Sequence, residues 1–199
     1  ALELGVKRIV FGECGHAWRV AYSFLNTLAG PFDFLDPNYP VPQHILEFTW
    51  GEIQKGTLNI DKSANDDMTL TFHDSCNVAR ASRMGPEPGG QFKIPRNVIK
   101  AVCNNFVDMA PETIHEKTFC CGGGGGVSAN ERADELKLTA FNRKKSQLQA
   151  LNVETLVTAC ANCRLTLEEG LEENEMELPV VGLTELLAEY LVEDDKEQA

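Results

Sequence analysis

Apolar and polar positions alternate between two periods along the 199-residue chain. Val6 to Phe11 reads as a strand. Val20, Phe24 and Leu28, spaced by four along one face, predict a helix over 17–28. Gly30-Pro31 ends that helix. Four prolines between 31 and 42 mark an extended connector. A short helix over 45–53 carries Trp50, and 59–67 reads as a polar loop or junction. Met68 to Phe72 is the next strand. A Gly/Pro loop over 84–92 follows, then a helix with Pro95 in its first turn and Val98, Ile99 and Val102 facing the core. Ser128 and Glu131 have capping-box spacing, which predicts a helix from Ala129 to about Leu151. Leu156 to Thr158 is a buried strand, and a helix follows from Arg164. Pro179 to Val181 is the last strand, and Thr184 caps a final helix to about Val192.

From Met68 onward strand and helix alternate. That order predicts an α/β fold, a parallel sheet flanked by helices. The segments His73-Asp74-Ser75-Cys76 and Cys160-Ala161-Asn162-Cys163 both lie just past strand ends, the edge where open α/β sheets form sites. The Val6–Cys14 and Leu156–Cys163 units share one outline, a strand that ends in cysteine and leads into a helix. The chain opens on Ala1. The expectation is a piece of a longer polypeptide with tandem cysteine-rich domains: the closing part of a first, truncated one over 1–60, and a second over 61–199.

Composition narrows the function. Apolar residues make up 43% of the chain, enough for a core. The formal charge is −12, with no basic footprint for nucleic acid. Residues 168–199 hold twelve of the thirty acids and one of the eighteen bases, Lys196. This region reads as a solvated acidic face or as a docking surface for a basic partner. No stretch approaches the ~20 apolar residues that span a bilayer, so any membrane link comes through partners.

Seven cysteines is an odd number, which a closed disulfide framework would not use up. A reducing compartment, with the thiols as ligands or redox groups, fits better. A CxxC alone is ambiguous between a thioredoxin-like dithiol, half a zinc site and part of an iron–sulfur site. Here five cysteines recur in three elements. Adjacent Cys120-Cys121 suits tetrahedral zinc poorly, whereas iron–sulfur clusters accept irregular thiolate sets. Cys160 and Cys163 sit at a helix N-terminus, where free N–H groups favour thiolate. Five glycines after Cys121 let backbone approach a bulky cofactor. No Lys-Ser or Lys-Thr follows them, so they are not a P-loop.

With these three elements the chain resembles the cysteine-rich CCG domain of heterodisulfide reductases and their relatives. The flanking words Gly12–Arg19 (GECGHAWR) and Thr113–Gly126 (TIHEKTFCCGGGGG) resemble the heterodisulfide-reductase-like catalytic subunit of the membrane complex linked to dissimilatory sulfite reduction. The resemblance implies a noncubane [4Fe–4S] cluster on Cys76, Cys120, Cys121, Cys160 and Cys163, with Gly122, Gly123 and Gly124 packed against it. It implies thiol/disulfide oxidoreduction on a small sulfur-carrier protein with a redox-active cysteine pair or a trisulfide made from it. It also implies quinone-interacting membrane subunits and other iron–sulfur or haem subunits as partners, and a cytoplasmic position peripheral to the inner membrane. The ferredoxin spacing that full-length relatives carry is absent from this sequence.

Two features depart from the pattern. A long gap of 43 residues separates Cys76 from Cys120. Cys14 stands where a first copy's CxxC would begin, but Ala17 stands where it would close. Cys14 and His16 are candidates to border the second site, or a vestige. His73 and Asp74 are candidates to deliver protons, or to orient the strand end and hydrogen-bond sulfur. Arg80 and Arg83 could balance cluster charge. Cys103, Trp18 and Trp50 read as packing residues. Two rivals remain: an iron–sulfur relay subunit of a flavin-dependent 2-hydroxy-acid or glycerol-phosphate dehydrogenase, and a non-enzymatic metal-binding assembly module, with zinc as a candidate metal.

Overall fold

A computed structural model describes residues 1–192; the acidic stretch 193–199 lies outside the described residues. Its central feature is a three-stranded parallel sheet of β3 (Leu70–His73), β4 (Thr155–Thr158) and β5 (Val180–Gly182) in that order. The register pairs His73 with Thr158 and Thr158 with Gly182, so the carboxyl ends of all three strands lie side by side. Every residue of β3 and β4 is buried, as expected of parallel strands covered on both faces.

The sheet separates two cores. Leu70, Phe72 and Val157 pack with α5 (Gly90–Val102) and α8 (Leu183–Glu189), a cluster that also takes in Trp18 and Leu46 from the N-terminal part. Leu156 and Val180 pack on the other face with α6 (Asp134–Gln149) and α7 (Ala161–Glu172). Alternate side chains of β4 thus serve opposite layers, and Cys121, Cys160 and Cys163 belong to the second core. This is the α/β architecture that the strand–helix alternation predicts.

The N-terminal part adds a two-stranded parallel sheet, β1 (Val10–Phe11) with β2 (Gln43–His44). The predicted 6–11 strand shrinks to two residues because its one partner strand is that short. A helix then runs as α1 (Gly15–Val20), a π-helical turn over Ala21–Leu25, and α2 (Asn26–Ala29). Its inward face is Gly15, Trp18 and Ala21. The apolar face spaced by four is turned outward: Val20, Phe24 and Leu28 are 56%, 56% and 80% exposed. Close approach to α4 (Cys76–Ala79) selects the small residues and Trp18. The exposed three, with Phe11 and Leu25, line an open apolar groove of about 440 Å³.

Three predicted caps move. Helix α5 begins at Gly90 rather than beside Pro95, because Gly89 adopts φ 80° and turns the chain there. Pro95 therefore sits inside the helix, where it removes one backbone bond. Helix α6 begins at Asp134; Asn130 caps the short turn before it through Arg132 N–H (3.1 Å), and Ser128 Oγ donates instead to Asn162 Oδ1 (2.7 Å). Helix α8 starts from Gly182 rather than Thr184. The Thr184 N–H is taken by Glu13 Oε1 at 3.1 Å, a partner from the other end of the chain.

Helix α3 (Ile45–Lys55) has a cap the pattern did not reveal. His44 Nδ1 accepts from Leu46 N–H, and Glu47 Oε2 accepts from His44 N–H. His44 is fully buried against Trp18, and burial lowers its pKa from 6.5 to about 3. Below about pH 6.5 the unfolded chain takes up a proton that the folded chain refuses. The stability held by the neutral ring is therefore complete above 6.5 and is lost as pH falls toward 3. His44→Asn keeps a capping side chain and removes the titration. Relative to wild type, its stability should rise steadily as pH drops through that window, measured by urea unfolding. A pH-independent difference between the two chains would show that the buried ring titrates normally.

Candidate metal centre

The strand ends deliver the first thiols. β3 ends on buried His73; beyond it Asp74 and Ser75 are buried and Cys76 opens α4. Beyond β4, Cys160 caps α7 and Cys163 lies in its first turn. The third element comes from the long connection between α5 and α6, and Asp74 holds it in place. The carboxylate of Asp74 accepts from His115 N–H (2.8 Å) and its carbonyl accepts from Thr118 Oγ1 (2.9 Å), two residues before Cys120. Arg96 of α5 pairs with the same carboxylate through both terminal nitrogens (3.0 and 2.8 Å) and with Asp108 at 2.5 and 3.0 Å.

The five motif thiols meet as a result. Cys121 Sγ and Cys163 Sγ are 3.3 Å apart, and the ring of His73 lies with them, ligand atoms within 4.8 Å of one another. Backbone N–H groups reach the outer sulfurs: Gly122 donates to Cys120 Sγ (3.4 Å) and Gly15 to Cys160 Sγ (3.3 Å). All seven cysteines are free thiols. Cys103 is buried in the first core beyond the end of α5.

The glycine run folds over this patch. A Cβ at Gly123 would collide with Thr166 Oγ1 of α7, and one at Gly122 (φ 97°) would crowd α6 at Lys137. Asn162, inside the CxxC, latches the run at two points: its Nδ2 donates to Gly123 O (2.9 Å) and its Oδ1 accepts from Ser128 Oγ. His16 Nε2 accepts from Gly125 N–H at 3.3 Å, so the N-terminal helix borders the loop. Cys14 caps that helix through its backbone, with no hydrogen-bonded sulfur partner for its thiol among the described residues.

Shared protons organise the charge. Hydrogen bonds from the Cys121 and Cys76 thiols pull Cys120 well below the usual thiol range. A bond from the Cys163 thiol, with N–H groups of Cys163 and Gly15, brings Cys160 down to about 5. The same contacts push the other three upward, Cys121 to about 11 through its bond to Cys120. The thiols therefore share protons rather than ionise independently. Loss of all five protons requires a positive group among the sulfurs. His73, fully buried and held neutral by that burial, has both ring nitrogens unpartnered. Five convergent sulfurs with an orphaned imidazole beside them fit an iron–sulfur cluster.

Sequence motifs brought out the five cysteines and the glycines, and Cys14, His16, His73 and Asp74 all lie at or beside them. They did not single out Arg96, Asp108, Asn162 or Glu13. Glu13 joins the N-termini of α7 and α8: its carbonyl accepts from Ala161 N–H (2.8 Å) and its carboxyl, raised to about 7 by burial, from Thr184 N–H. Asn162 stands inside a recognised motif, which is a signal of a kind. Glu13 likewise stands inside the flanking word GECGHAWR, whereas Arg96 and Asp108 carry no signal, since each acts through a partner remote in sequence.

Comparison with known proteins follows the same outline. The cysteine-rich domain family CCG matches residues 70–168. The chain is 33% identical over 222 aligned positions to the Hdr-like menaquinol oxidoreductase iron-sulfur subunit 2 of Archaeoglobus fulgidus, covering 96% of this chain and 39% of the relative. It is 27% identical to one subunit of the dihydromethanophenazine:CoB–CoM heterodisulfide reductase of Methanosarcina mazei, over 94% of this chain and 41% of that protein. It is 29% identical to the EtfAB:quinone oxidoreductase of Syntrophomonas wolfei over 87% of this chain and 22% of the relative. The chain thus spans about two fifths of the length of the first two relatives, and less of the third. All five clustered cysteines fall inside the matched span, and the chain belongs to the CCG cysteine-rich domain family.

Proposed function

We propose that this chain is the cluster-bearing part of an iron–sulfur electron-transfer subunit of a heterodisulfide-reductase-like oxidoreductase. The convergence of five thiols at the carboxyl edge of one sheet carries this reading. Cys76, Cys120, Cys121, Cys160 and Cys163 would hold a noncubane [4Fe–4S] cluster. Once bound, it would supply one-electron redox chemistry at sulfur. The substrate S–S bond would take up two electrons and two protons and leave as two thiols, the electrons coming from a quinol or similar donor.

The chain's own residues do the rest. Asp74, clamped by Arg96, keeps the Cys120-Cys121 strap against the strand end. Asn162 and His16 close the glycine run over the sulfurs and limit water there. His73 presents an unpartnered ring nitrogen to the sulfurs and can hold a proton on it. Half-buried Cys76 and Cys120 mark the side open to a substrate. The substrate would be the cysteine pair, or derived trisulfide, of a small sulfur-carrier protein in sulfite or sulfate respiration. No helix among the described residues is long and apolar enough to cross a membrane. Quinone-interacting membrane subunits would therefore hold the assembly at the cytoplasmic face. A second reading, an electron relay to quinone without disulfide cleavage, draws on the similarity to an EtfAB:quinone oxidoreductase.

Anaerobic reconstitution followed by iron, sulfide and EPR measurement tests the proposal. It expects about four irons per chain and a signal on oxidation that changes when a carrier-protein disulfide is added. An unchanged signal favours the relay. Stoichiometric zinc in a colourless protein overturns both readings.

A further inference from the structure

Helix α6 carries a basic run, Arg143-Lys144-Lys145, and Lys144 alone of the three is fully buried. Its Nζ meets two neutral acceptors, Met109 Sδ at 3.5 Å and Gln147 Oε1. Among the described residues no carboxylate lies within ion-pair distance of it. An ammonium without a counter-ion is costly in a protein interior, and a methionine of the same length would fill the space at little cost. The charge therefore has something to face.

Its surroundings show what. Met109, whose sulfur the ammonium touches, packs in the same core as Cys121, Cys160 and Cys163; burial draws Lys144 down to about 8, opposed first by Asp74 and then by the sulfurs of Cys121, Cys163 and Cys120. Asp74 is already engaged: both its oxygens bond Arg96, and one also accepts from His115 N–H. Among the described residues the sulfurs have no comparable buried cation. Arg80 stands near Cys76, but at the exposed edge, donating to Glu116 O and Thr118 O. His73 is held neutral, first by its burial and then by the charge of Lys144.

We propose that Lys144 is the buried counter-charge of the thiolate-bound cluster and sets its reduction potential upward, acting through the cluster as a positioning residue for charge. The inference rests on the cluster reading above. Added electrons make the site more negative, so a fixed positive charge beside it favours the reduced form. Without that charge the site is harder to reduce and holds its iron less firmly.

The test is Lys144→Met, followed by EPR-monitored redox titration of the anaerobically loaded chain and by denaturant unfolding of the metal-free chain. The expected midpoint is more negative by about 59 mV or more, a tenfold change in the oxidised-to-reduced ratio at fixed poise. The metal-free variant should be as stable as wild type or more so. Loss of iron binding with the metal-free fold intact also supports the assignment. An unshifted midpoint overturns it. So does a metal-free variant that is less stable or unfolded, which would make Lys144 the structural partner of Asp74. A wild-type chain that binds no iron overturns the cluster reading, and this inference with it.

Discussion

Arg96→Met is expected to cost about 3–5 kcal/mol of stability, the usual penalty for breaking a buried ion pair from one side. Asp74 and Arg96 have side chains only 2% and 9% exposed. Burial opposes the Arg96 charge, and the bonds to Asp74 and Asp108 more than restore it. With the guanidinium gone, the Asp74 carboxylate stays buried with only the His115 N–H as a donor. Asp108 is less affected, being 28% exposed and open to water. The loss should not be additive: adding Asp74→Asn to Arg96→Met should recover part of it, since the stranded charge is then removed. Urea unfolding of the metal-free chain measures both. A loss under about 1 kcal/mol, the surface-pair range, would mean that water reaches the pair. The same variant should also loosen the strap at His115, which the Asp74 carboxylate holds, and weaken metal retention.

Cys121→Ser and Cys163→Ser are expected to take iron from about four per chain toward zero, because each removes a buried sulfur from the centre of the patch. Serine oxygen is a harder ligand with a far higher pKa, and it cannot supply an anionic sulfur there. Cys103→Ser serves as the control. Cys103 lies in the other core with its thiol 3.9 Å from Met68 O, so it should lose some stability and keep full iron. Wild-type iron in Cys121→Ser would remove that residue from the ligand set. Iron loss in Cys103→Ser would place the cluster elsewhere.

How much of this was visible in the chain depends on distance along it. The strands were legible because each is a short apolar run closed by a polar or cysteine segment, and the ligands because their spacing is local. The α1–α2 helix is legible from its spacing, but the side it buries is not. Spacing by four identifies an apolar stripe; it does not say whether a neighbour covers it, and here α4 packs on Gly15 and Trp18 instead. Ser128 and Thr184 have good capping chemistry, yet the folded chain gives their groups to Asn162 and Glu13. A local capping rule loses when a remote partner offers a stronger bond.

By itself the sequence determined the alternating α/β order, the five thiols, and the position of Cys76, Cys160 and Cys163 past strand ends, since each is a matter of nearest-neighbour pattern. Only the tertiary structure decided that Gly15 and His16 reach the same site from the N-terminal part, that Asp74 is clamped by Arg96, and that Lys144 points inward from a basic run. The physical reason is common to all three. A charge or an N–H group costs too much to bury alone, and its partner is chosen by how the layers stack rather than by what lies beside it in the chain.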